Sequence, residues 1–267
     1  MTTIQVTKRD GRKEPLNLEK LHQVVSWATQ GITGVSASEV EIKSHIQFYN
    51  GIKTSEIQET LIKSAADLIS EDHPNYQYVA GRLLTYHLYK QVYGDYKPWP
   101  LLKLVQRNTE IGYYTKDLLA NYSEGEIAQL DSMIRHDRDE NFTYVAMEQW
   151  RGKYLVQNRV SGEIYETPQV AYMMIAATLF MSYPKDTRLT WIKEYYDAIS
   201  THDVSLPTPV MAGVRTPQKQ FSSCVLIESD DSLDSINATA SSIVRYVSQK
   251  AGIGIDAGRI RALGSPI

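Results

Sequence analysis

Only one of the 267 residues is a cysteine, Cys224, which excludes an intrachain disulfide and a metal site built from several cysteines. A single thiol is typical of a reducing compartment, and we expect a cytoplasmic protein. The sequence also lacks any run of about 18 uninterrupted apolar residues. No apolar signal core follows Met1, so we predict neither a membrane span nor a secretory signal.

Neither sign of charge is in large excess, since 28 basic side chains stand against 31 acidic ones, a net charge of −3. A protein that holds a long nucleic acid by electrostatic attraction needs a basic surplus, so no nucleic-acid polymer is expected as a partner. Apolar residues make up 42% and charged residues 22%, which is typical of a globular chain. At roughly 150 residues per domain, the length predicts two domains with room for an incomplete third.

The N-terminal residues predict a β-hairpin followed by a helix. An alternating run over residues 4–9 meets Asp10-Gly11, a pair suited to a tight hairpin turn, and a return strand follows over 12–16. Asn17 can cap a helix, because its side-chain oxygen can accept from the first free backbone N–H groups. The apolar positions of that helix begin at Leu18 and repeat at helical spacing.

Three more helices are predicted before the first domain boundary, over about 36–50, 54–69 and 75–93. The spacing Ser36-Ala37-Ser38-Glu39 is that of a capping box and opens the first of them. Residues 94–100 combine a helix-stopping glycine with two prolines, so we place the first domain boundary there.

The stretch from 95 to 220 predicts a mainly helical domain. Its expected elements are, in order, helices at about 101–111, 123–136 and 142–150, a hairpin over 154–165, and helices over 169–181 and 189–199. The run 169–181 is almost wholly apolar but too short to span a bilayer, so we expect a buried core helix.

The last region predicts a βαβ unit, the building block of parallel sheets and barrels. A buried strand is expected at 221–228, a long helix at 232–249 and a second strand at 252–255. Two parallel strands leave most of their edges and faces uncovered, so this region should not be stable alone. The predicted fold class is α+β and mainly helical.

A possible anion site lies at the front of the chain. Lys8 and Arg9 sit on the hairpin beside the helix that begins after Asn17, where basic side chains and helix N–H groups can converge on a phosphate. Charged residues are also ordinary on a solvated hairpin edge, and this second interpretation applies equally to Thr54 and Lys90.

Three other positions also allow two interpretations. Cys224 is either a small buried side chain of a strand or a reactive thiol, and a thiol that gives up two electrons needs a second sulfur. His136 and Glu140 lie one helical turn apart, which is more typical of a polar helix end than of a metal site, and we expect no metal. Thr208 stands between two prolines in an extended loop, which either presents it to a ligand or only turns the chain.

Several motifs occur together and in one order that resembles the large (alpha) subunit of class I ribonucleotide reductase. They are Ser205-Leu206-Pro207-Thr208-Pro209, Gln220 to Leu226, Asp231 to Ile236, Ala251 to Ile255, and Gly258-Arg259-Ile260-Arg261. Val6 to Gly11 is similar to the opening of that family's ATP cone. The resemblance implies an ATP cone at 1–94, a helical N-terminal domain at 95–220, and the first strands and helix of an incomplete α/β barrel at 221–267.

The resemblance also implies a nucleotide-regulated radical enzyme that replaces the ribose 2′-hydroxyl of ribonucleoside diphosphates with hydrogen. Cys224 would be one half of the redox pair that supplies the electrons. The substrate pocket would include Thr208, Ser223, Cys224 and Gly252, and the effector site that sets substrate choice would include Asp231, Ser232, Leu233 and Arg261. The ATP or dATP contacts of the cone would be Lys8, Glu14, Pro15, Leu16, Asn17, Leu18, Glu19, Lys20, Thr54, His87 and Lys90.

The same resemblance implies several partners and no cofactor within this chain. ATP, dATP and other deoxynucleotides would act as effectors, and a small subunit that contains a metal would supply the radical. A second large subunit would form a dimer, thioredoxin or glutaredoxin would restore the thiols, and no membrane would be involved.

Some family features are absent or altered. The family's other catalytic residues, including its remaining redox cysteines, lie beyond Ile267, so the chain alone should be inactive. Gln58 stands where many cones have a histidine, and Asp256 stands where asparagine is common.

Two functions from different classes therefore remain open. The preferred one is the N-terminal part of the reductase large subunit, completed by a separate C-terminal part. A natural split is favoured over a truncation, because strand pairing can complete a divided barrel. The alternative is a non-catalytic module that senses nucleotides and binds a partner.

Overall fold

The computed structural model describes residues 4–45, 47–249 and 251–266. The strands are β1 (Gln5–Thr7), β2 (Lys13–Pro15), β3 (Cys224–Glu228) and β4 (Gly252–Asp256). The helices are α1 (Leu18–Thr29), α2 (Ala37–His45), α3 (Thr54–Ala66), α4 (Tyr76–Tyr93), α5 (Leu101–Glu110), α6 (Asp117–Asn121), α7 (Glu124–Met133), α8 (Tyr144–Gln149), α9 (Pro168–Leu179), α10 (Arg188–Ser200), α11 (Thr208–Gly213) and α12 (Leu233–Ser248). A 3₁₀ helix spans His136–Asn141, and a π-helical turn spans Trp150–Tyr154. None of the described helices is both long enough and apolar enough to cross a bilayer.

The N-terminal hairpin and its capped helix form as predicted. β1 and β2 pair antiparallel with Val6 opposite Glu14, and Gly11 takes a φ of +85° in the connection. The side chain of Asn17 accepts from the backbone N–H of Lys20 at 3.0 Å and caps α1. Leu18 was expected on the buried face but is 56% exposed, because it lies in the first turn, outside the core.

The second helix is shorter than predicted because its following residues bind to the hairpin instead. α2 ends at His45, and the backbone N–H of Gln5 donates to the side chain of Asn50 at 2.9 Å. Gly51 donates to the carbonyl of Gln5 at 2.8 Å, and Thr7 donates to the carbonyl of Ile52 at 2.9 Å. These bonds place the start of α3 against β1.

The predicted capping box at the start of α2 forms only in part. Ser36 Oγ accepts from the N–H of Glu39 at 3.4 Å, as such a box requires. The N–H of Ser36, however, donates to the hydroxyl of Tyr76 at 2.9 Å, and that hydroxyl donates to the Glu39 carboxylate. Tyr76 therefore stands between the two residues and attaches α2 to α4.

α4 lies at the centre of the molecule and contacts α3 on one side and α8 on the other. One continuous apolar core runs from Val6 in the hairpin to Val214 after α11, and α4 contributes Val79, Leu83 and Leu88 to it. The turn after α4 begins at Gly94, which takes a φ of +76° as a helix-ending glycine does.

We expect Gly81→Ala to destabilise the fold by about 1–3 kcal/mol or more, because overpacking displaces the backbone at a tight contact. A Cβ on Gly81 would lie only 2.2 Å from the carbonyl oxygen of Phe142, where α4 approaches the start of α8. Gly125 in α7 is a matched control, since a Cβ there meets nothing within 4 Å. Gly125→Ala should stabilise the fold by about 0.5–1 kcal/mol, because alanine favours a helix. Urea denaturation measures both, and a Gly81→Ala variant as stable as the wild type would contradict the close approach.

α9 is buried along most of its length, as expected from its apolar run. The short helix α6 and the 3₁₀ helix were not predicted. The hairpin predicted over 154–165 is shorter than expected: Gln157 pairs with Ile164 between two backbone hydrogen bonds, and the π-helical turn includes the first predicted residue, Tyr154. Thr208 was placed in an extended loop, but it begins α11, and Pro207 is its N-cap residue.

The C-terminal region forms the predicted βαβ unit. β3 and β4 pair in parallel with Cys224 opposite Gly252, and α12 connects them. The prediction of a buried strand is wrong, because exposure alternates along β3 and Leu226 is 88% exposed. α12 covers only one face of the two strands, so Cys224 is exposed rather than a small buried side chain.

Candidate functional site

A cavity of about 470 Å³ opens where the hairpin, α1, α3 and the end of α4 meet. Its lining residues are Val6, Lys8, Arg9, Glu14, Leu16, Asn17, Lys20, Leu21, Gln23, Val24, Trp27, Thr54, Ile57, Gln58, Tyr86, Lys90 and Tyr96. The volume is that of an ordinary small-molecule site.

The lining of the cavity is mainly cationic. Four basic side chains line it against a single carboxylate, that of Glu14. The ammonium of Lys8 lies 2.9 Å from that carboxylate, and its hydrogen bond holds the pKa of Glu14 below the usual range. Arg9 donates to the carbonyl of Lys90 at 2.6 Å, while burial lowers its pKa. Such an excess of donors suits a polyanion.

Aromatic rings line the cavity beside these cations, and the Lys90 ammonium lies 4.7 Å from the centre of the Tyr96 ring. The rings of Tyr86 and Tyr96 stack with centroids 3.8 Å apart and planes 17° apart. Trp27 lies beside them, with its ring centroid 5.8 Å from that of Tyr86. A flat apolar group can lie against such rings while its charged part reaches the cations, so the arrangement fits a base joined to phosphates.

Gln58 of α3 also lines the cavity. Its Oε1 atom is buried out of reach of solvent and has no hydrogen-bond partner within the described part of the chain. A buried polar atom without a partner costs free energy, which favours any rearrangement that gives it a donor.

The structure brings together most of the residues that the resemblance assigns to the cone. Lys8, Glu14, Leu16, Asn17, Lys20, Thr54 and Lys90 line the cavity, and Pro15 and Leu18 line a shallow depression beside it. Glu19 is exposed in the first turn of α1.

His87 is not brought to the cavity surface. It is 1% exposed, its Nε2 lies 4.0 Å from the carboxylate of Glu59, and burial lowers its pKa to about 4. The resemblance did not assign Arg9, Trp27, Tyr86 or Tyr96 to the site. Arg9 follows Lys8 directly in a basic pair, but no sequence pattern indicates that the three aromatic rings meet.

Three of the four predicted substrate residues lie together on the βαβ unit. The N–H of Gly252 donates to the carbonyl of Ser223 at 2.8 Å. A Cβ on Gly252 would lie 3.7 Å from the sulfur of Cys224, so the glycine leaves space beside the thiol. Thr208 lines a different cavity of about 530 Å³ at the start of α11.

The predicted effector residues lie together at the opposite end of the two strands. Arg261 donates to the Asp231 carboxylate at 2.7 Å, and Ser232 caps α12 by accepting from the N–H of Ser235 at 3.1 Å. Leu233 is 78% exposed on the first turn of α12. Asp256 accepts from the N–H of Gly258 at 2.8 Å, a bond that an asparagine oxygen can also accept.

His136 does not form part of a metal site. Its Nδ1 lies 3.4 Å from the hydroxyl of Tyr89, and burial lowers its pKa. Nowhere in 4–45, 47–249 or 251–266 do three or more His, Cys, Asp or Glu side chains form a group that could hold a metal ion.

Three family models match the chain in sequence order. The model described as "ATP cone domain" matches residues 4–91, "Ribonucleotide reductase, all-alpha domain" matches 140–219, and "Ribonucleotide reductase, barrel domain" matches 222–267. The fold and these matches agree on the class of protein. It has an ATP cone domain first, a helical domain next and the start of a parallel α/β barrel domain last.

Curated relatives match along almost the whole chain. It is 61% identical over 265 residues to ribonucleoside-diphosphate reductase 1 subunit alpha of Salmonella typhimurium, covering 99% of this chain and 35% of that protein. It is 61% identical over 262 residues to the protein of the same name from Escherichia coli, covering 98% and 34%. It is 46% identical over 269 residues to ribonucleoside-diphosphate reductase subunit alpha of Enterobacteria phage T4, covering 100% and 35%.

The chain belongs to the family of ribonucleotide reductase large subunits and corresponds to their N-terminal portion. It spans about 35% of the length of the curated relatives that it matches.

Proposed function

We propose that the cavity binds ATP or dATP as an effector and that the chain acts as the N-terminal part of a ribonucleoside-diphosphate reductase alpha subunit. The observation that carries this proposal is the cavity itself, in which four cations outnumber a single carboxylate beside stacked aromatic rings. Lys8, Lys20 and Lys90 bind the phosphates by charge-assisted hydrogen bonds, and the base lies against the aromatic rings.

Gln58 contributes a side-chain amide to the cavity lining, and it contacts the base in this proposal. An amide has both a donor and an acceptor, so it can pair with either adenine or guanine by turning about its last bond.

We expect Lys8→Ala to weaken ATP binding by about 1.5–3 kcal/mol, on the order of tenfold to a hundredfold, the value of a hydrogen bond to a charged group. The loss also leaves Glu14 without its cation and facing the phosphates. Calorimetric titration of the chain with ATP measures the effect.

Lys13→Ala is the matched control, because Lys13 lies on β2 of the same hairpin and does not line the cavity. Its affinity for ATP should stay close to that of the wild type. Equal affinity in Lys8→Ala and Lys13→Ala, or no ATP binding by the wild type, would contradict the proposed site.

The catalytic part of the proposal concerns the βαβ unit. With the C-terminal part of the subunit, Ser223, Cys224, Gly252 and Thr208 contribute to a pocket for a ribonucleoside diphosphate, and Cys224 supplies one of two thiols. Asp231, Ser232, Leu233 and Arg261 contribute to a second effector site. The assembled enzyme pairs with a second large subunit and with a small subunit that supplies the radical, and thioredoxin or glutaredoxin restores the thiols.

An assembly assay tests this part. The chain is mixed with a polypeptide that carries the remainder of an alpha subunit, and reduction of ribonucleoside diphosphates is measured with the small subunit and a dithiol reductant present. The mixture should be active. Nucleotide binding by this chain without association or turnover would instead identify a nucleotide-sensing module with no catalytic role.

A further inference from the structure

Lys90 stands where three parts of the molecule meet. Its backbone carbonyl accepts from Arg9 of the hairpin at 2.6 Å and from the N–H of Gly94 at 3.1 Å. Its ammonium donates to the hydroxyl of Tyr96 at 2.9 Å and lies 4.7 Å from the centre of that ring. Tyr96 belongs to the segment 94–100, outside the residues 4–91 that match the ATP cone.

The partner of Lys90 differs in kind from the partner of Lys8. Lys8 faces the carboxylate of Glu14, which offsets its charge. Tyr96 offers Lys90 a neutral oxygen, so the positive charge remains, and an ammonium group has three N–H donors, of which two remain for another acceptor. A long lysine side chain loses rotamer freedom when it binds, and a partner that already holds it lowers that cost.

We infer that Tyr96 is a positioning residue of the nucleotide site, which holds the Lys90 ammonium toward the phosphates and links nucleotide binding to the segment 94–100. The inference rests on the proposed binding of adenine nucleotides to the cavity. The stacked ring of Tyr86 fixes Tyr96 from the cone side, with the two centroids 3.8 Å apart.

The link between the nucleotide and the segment 94–100 acts in both directions. The segment leads into α5, whose first residue, Leu101, is 1% exposed in the core. A phosphate bound to Lys90 restricts the rotamers of that side chain, so the bond to Tyr96 is formed for a larger fraction of the time in the bound state than in the free state. By reciprocity, nucleotide must hold Tyr96 in place by the same factor by which Tyr96 tightens nucleotide binding.

Tyr96→Phe removes the hydroxyl and keeps the stacked ring. We expect it to weaken ATP binding about 3- to 10-fold, the range of one net hydrogen bond. Binding of adenosine, which has no phosphate, should be unchanged. Tyr49→Phe is the matched control, because the Tyr49 hydroxyl also bonds to a charged side chain of the N-terminal region, donating to Glu56 at 2.9 Å, but does not line the cavity.

A double-mutant cycle separates positioning from a general structural effect. Lys90→Ala and Lys90→Ala/Tyr96→Phe should bind ATP equally well, because the hydroxyl acts only through the ammonium. Hydrogen exchange at the amides of Tyr96 and Lys97 should slow when ATP binds to the wild type and change less in Tyr96→Phe.

The outcomes distinguish the inference from the function on which it rests. If the wild type binds no ATP, the proposed function fails and the inference fails with it. If the wild type binds ATP while Tyr96→Phe binds it equally well, or loses affinity equally for adenosine, the inference alone is overturned. Additive losses in the double mutant would also overturn it.

Discussion

Arg215→Met is expected to destabilise the protein by about 3–5 kcal/mol, because it leaves the charge of Glu166 buried without its cation. Both side chains are fully buried. The guanidinium Nε donates to the carboxylate at 2.8 Å, Nη1 donates to the carbonyl of Met211 at 2.6 Å, and Nη2 donates to the carbonyl of Tyr154 at 3.0 Å. Methionine keeps much of the volume and supplies none of these donors.

The carboxylate of Glu166 keeps only its neutral donors in that variant. They are the hydroxyl of Tyr114 at 2.5 Å and the backbone N–H of Val156 at 2.7 Å. A carboxylate so deeply buried must then accept a proton or admit water, and either change costs free energy.

Arg135→Met is the control, since Arg135 pairs with Asp137 at 2.9 Å while both side chains are more than half exposed. That change should cost no more than about 1 kcal/mol, as exposed pairs do. Urea denaturation of the 267-residue chain gives both values. If the two variants lost the same stability, the Glu166–Arg215 pair would not stabilise the helical region in the way that its burial indicates.

The parts of the fold that follow local rules were predictable from the sequence. The side chain of Asn17 caps α1, the apolar run gives the buried α9, and the long helix predicted from 232 forms as α12, because each signal lies within a few residues of the element that it controls. The end of α2 was not predictable, because it depends on bonds between β1 and residues 50–52, more than 40 positions apart in sequence.

The candidate site, like the fold, was only partly predictable from the sequence. Lys8 and Lys90 were predicted as phosphate contacts from their chemistry and from the motif resemblance, and both line the cavity. The aromatic side was missed because Trp27, Tyr86 and Tyr96 come from separate segments that only the folded chain brings together. The exposure of Cys224 was misjudged because an apolar strand is buried only where another element covers it, and α12 covers one face of β3.

Cys224→Ser is expected to abolish repeated turnover in the assembled enzyme, if the proposed function holds. Replacement of the 2′-hydroxyl by hydrogen releases water and consumes two electrons, and two thiols supply them by forming one disulfide bond. Serine carries no sulfur, so that bond cannot form. The Cys224 thiol is exposed, and Gly252 leaves space beside it.

The matched control is Ser222, which lies two residues before Cys224, just ahead of β3. Ser222 Oγ donates to the carbonyl of Cys224 at 3.3 Å in an exposed position, so Ser222→Ala removes a weak local bond and leaves the thiol in place. Its turnover should stay close to that of the wild type. Both variants should bind ATP and associate with the C-terminal part as the wild type does, because the cavity between the hairpin and α4 contains neither residue. Repeated turnover by Cys224→Ser at the wild-type rate would show that Cys224 is only a structural residue of β3. If that variant failed to associate with the C-terminal part, its loss of turnover would be due to assembly rather than to chemistry.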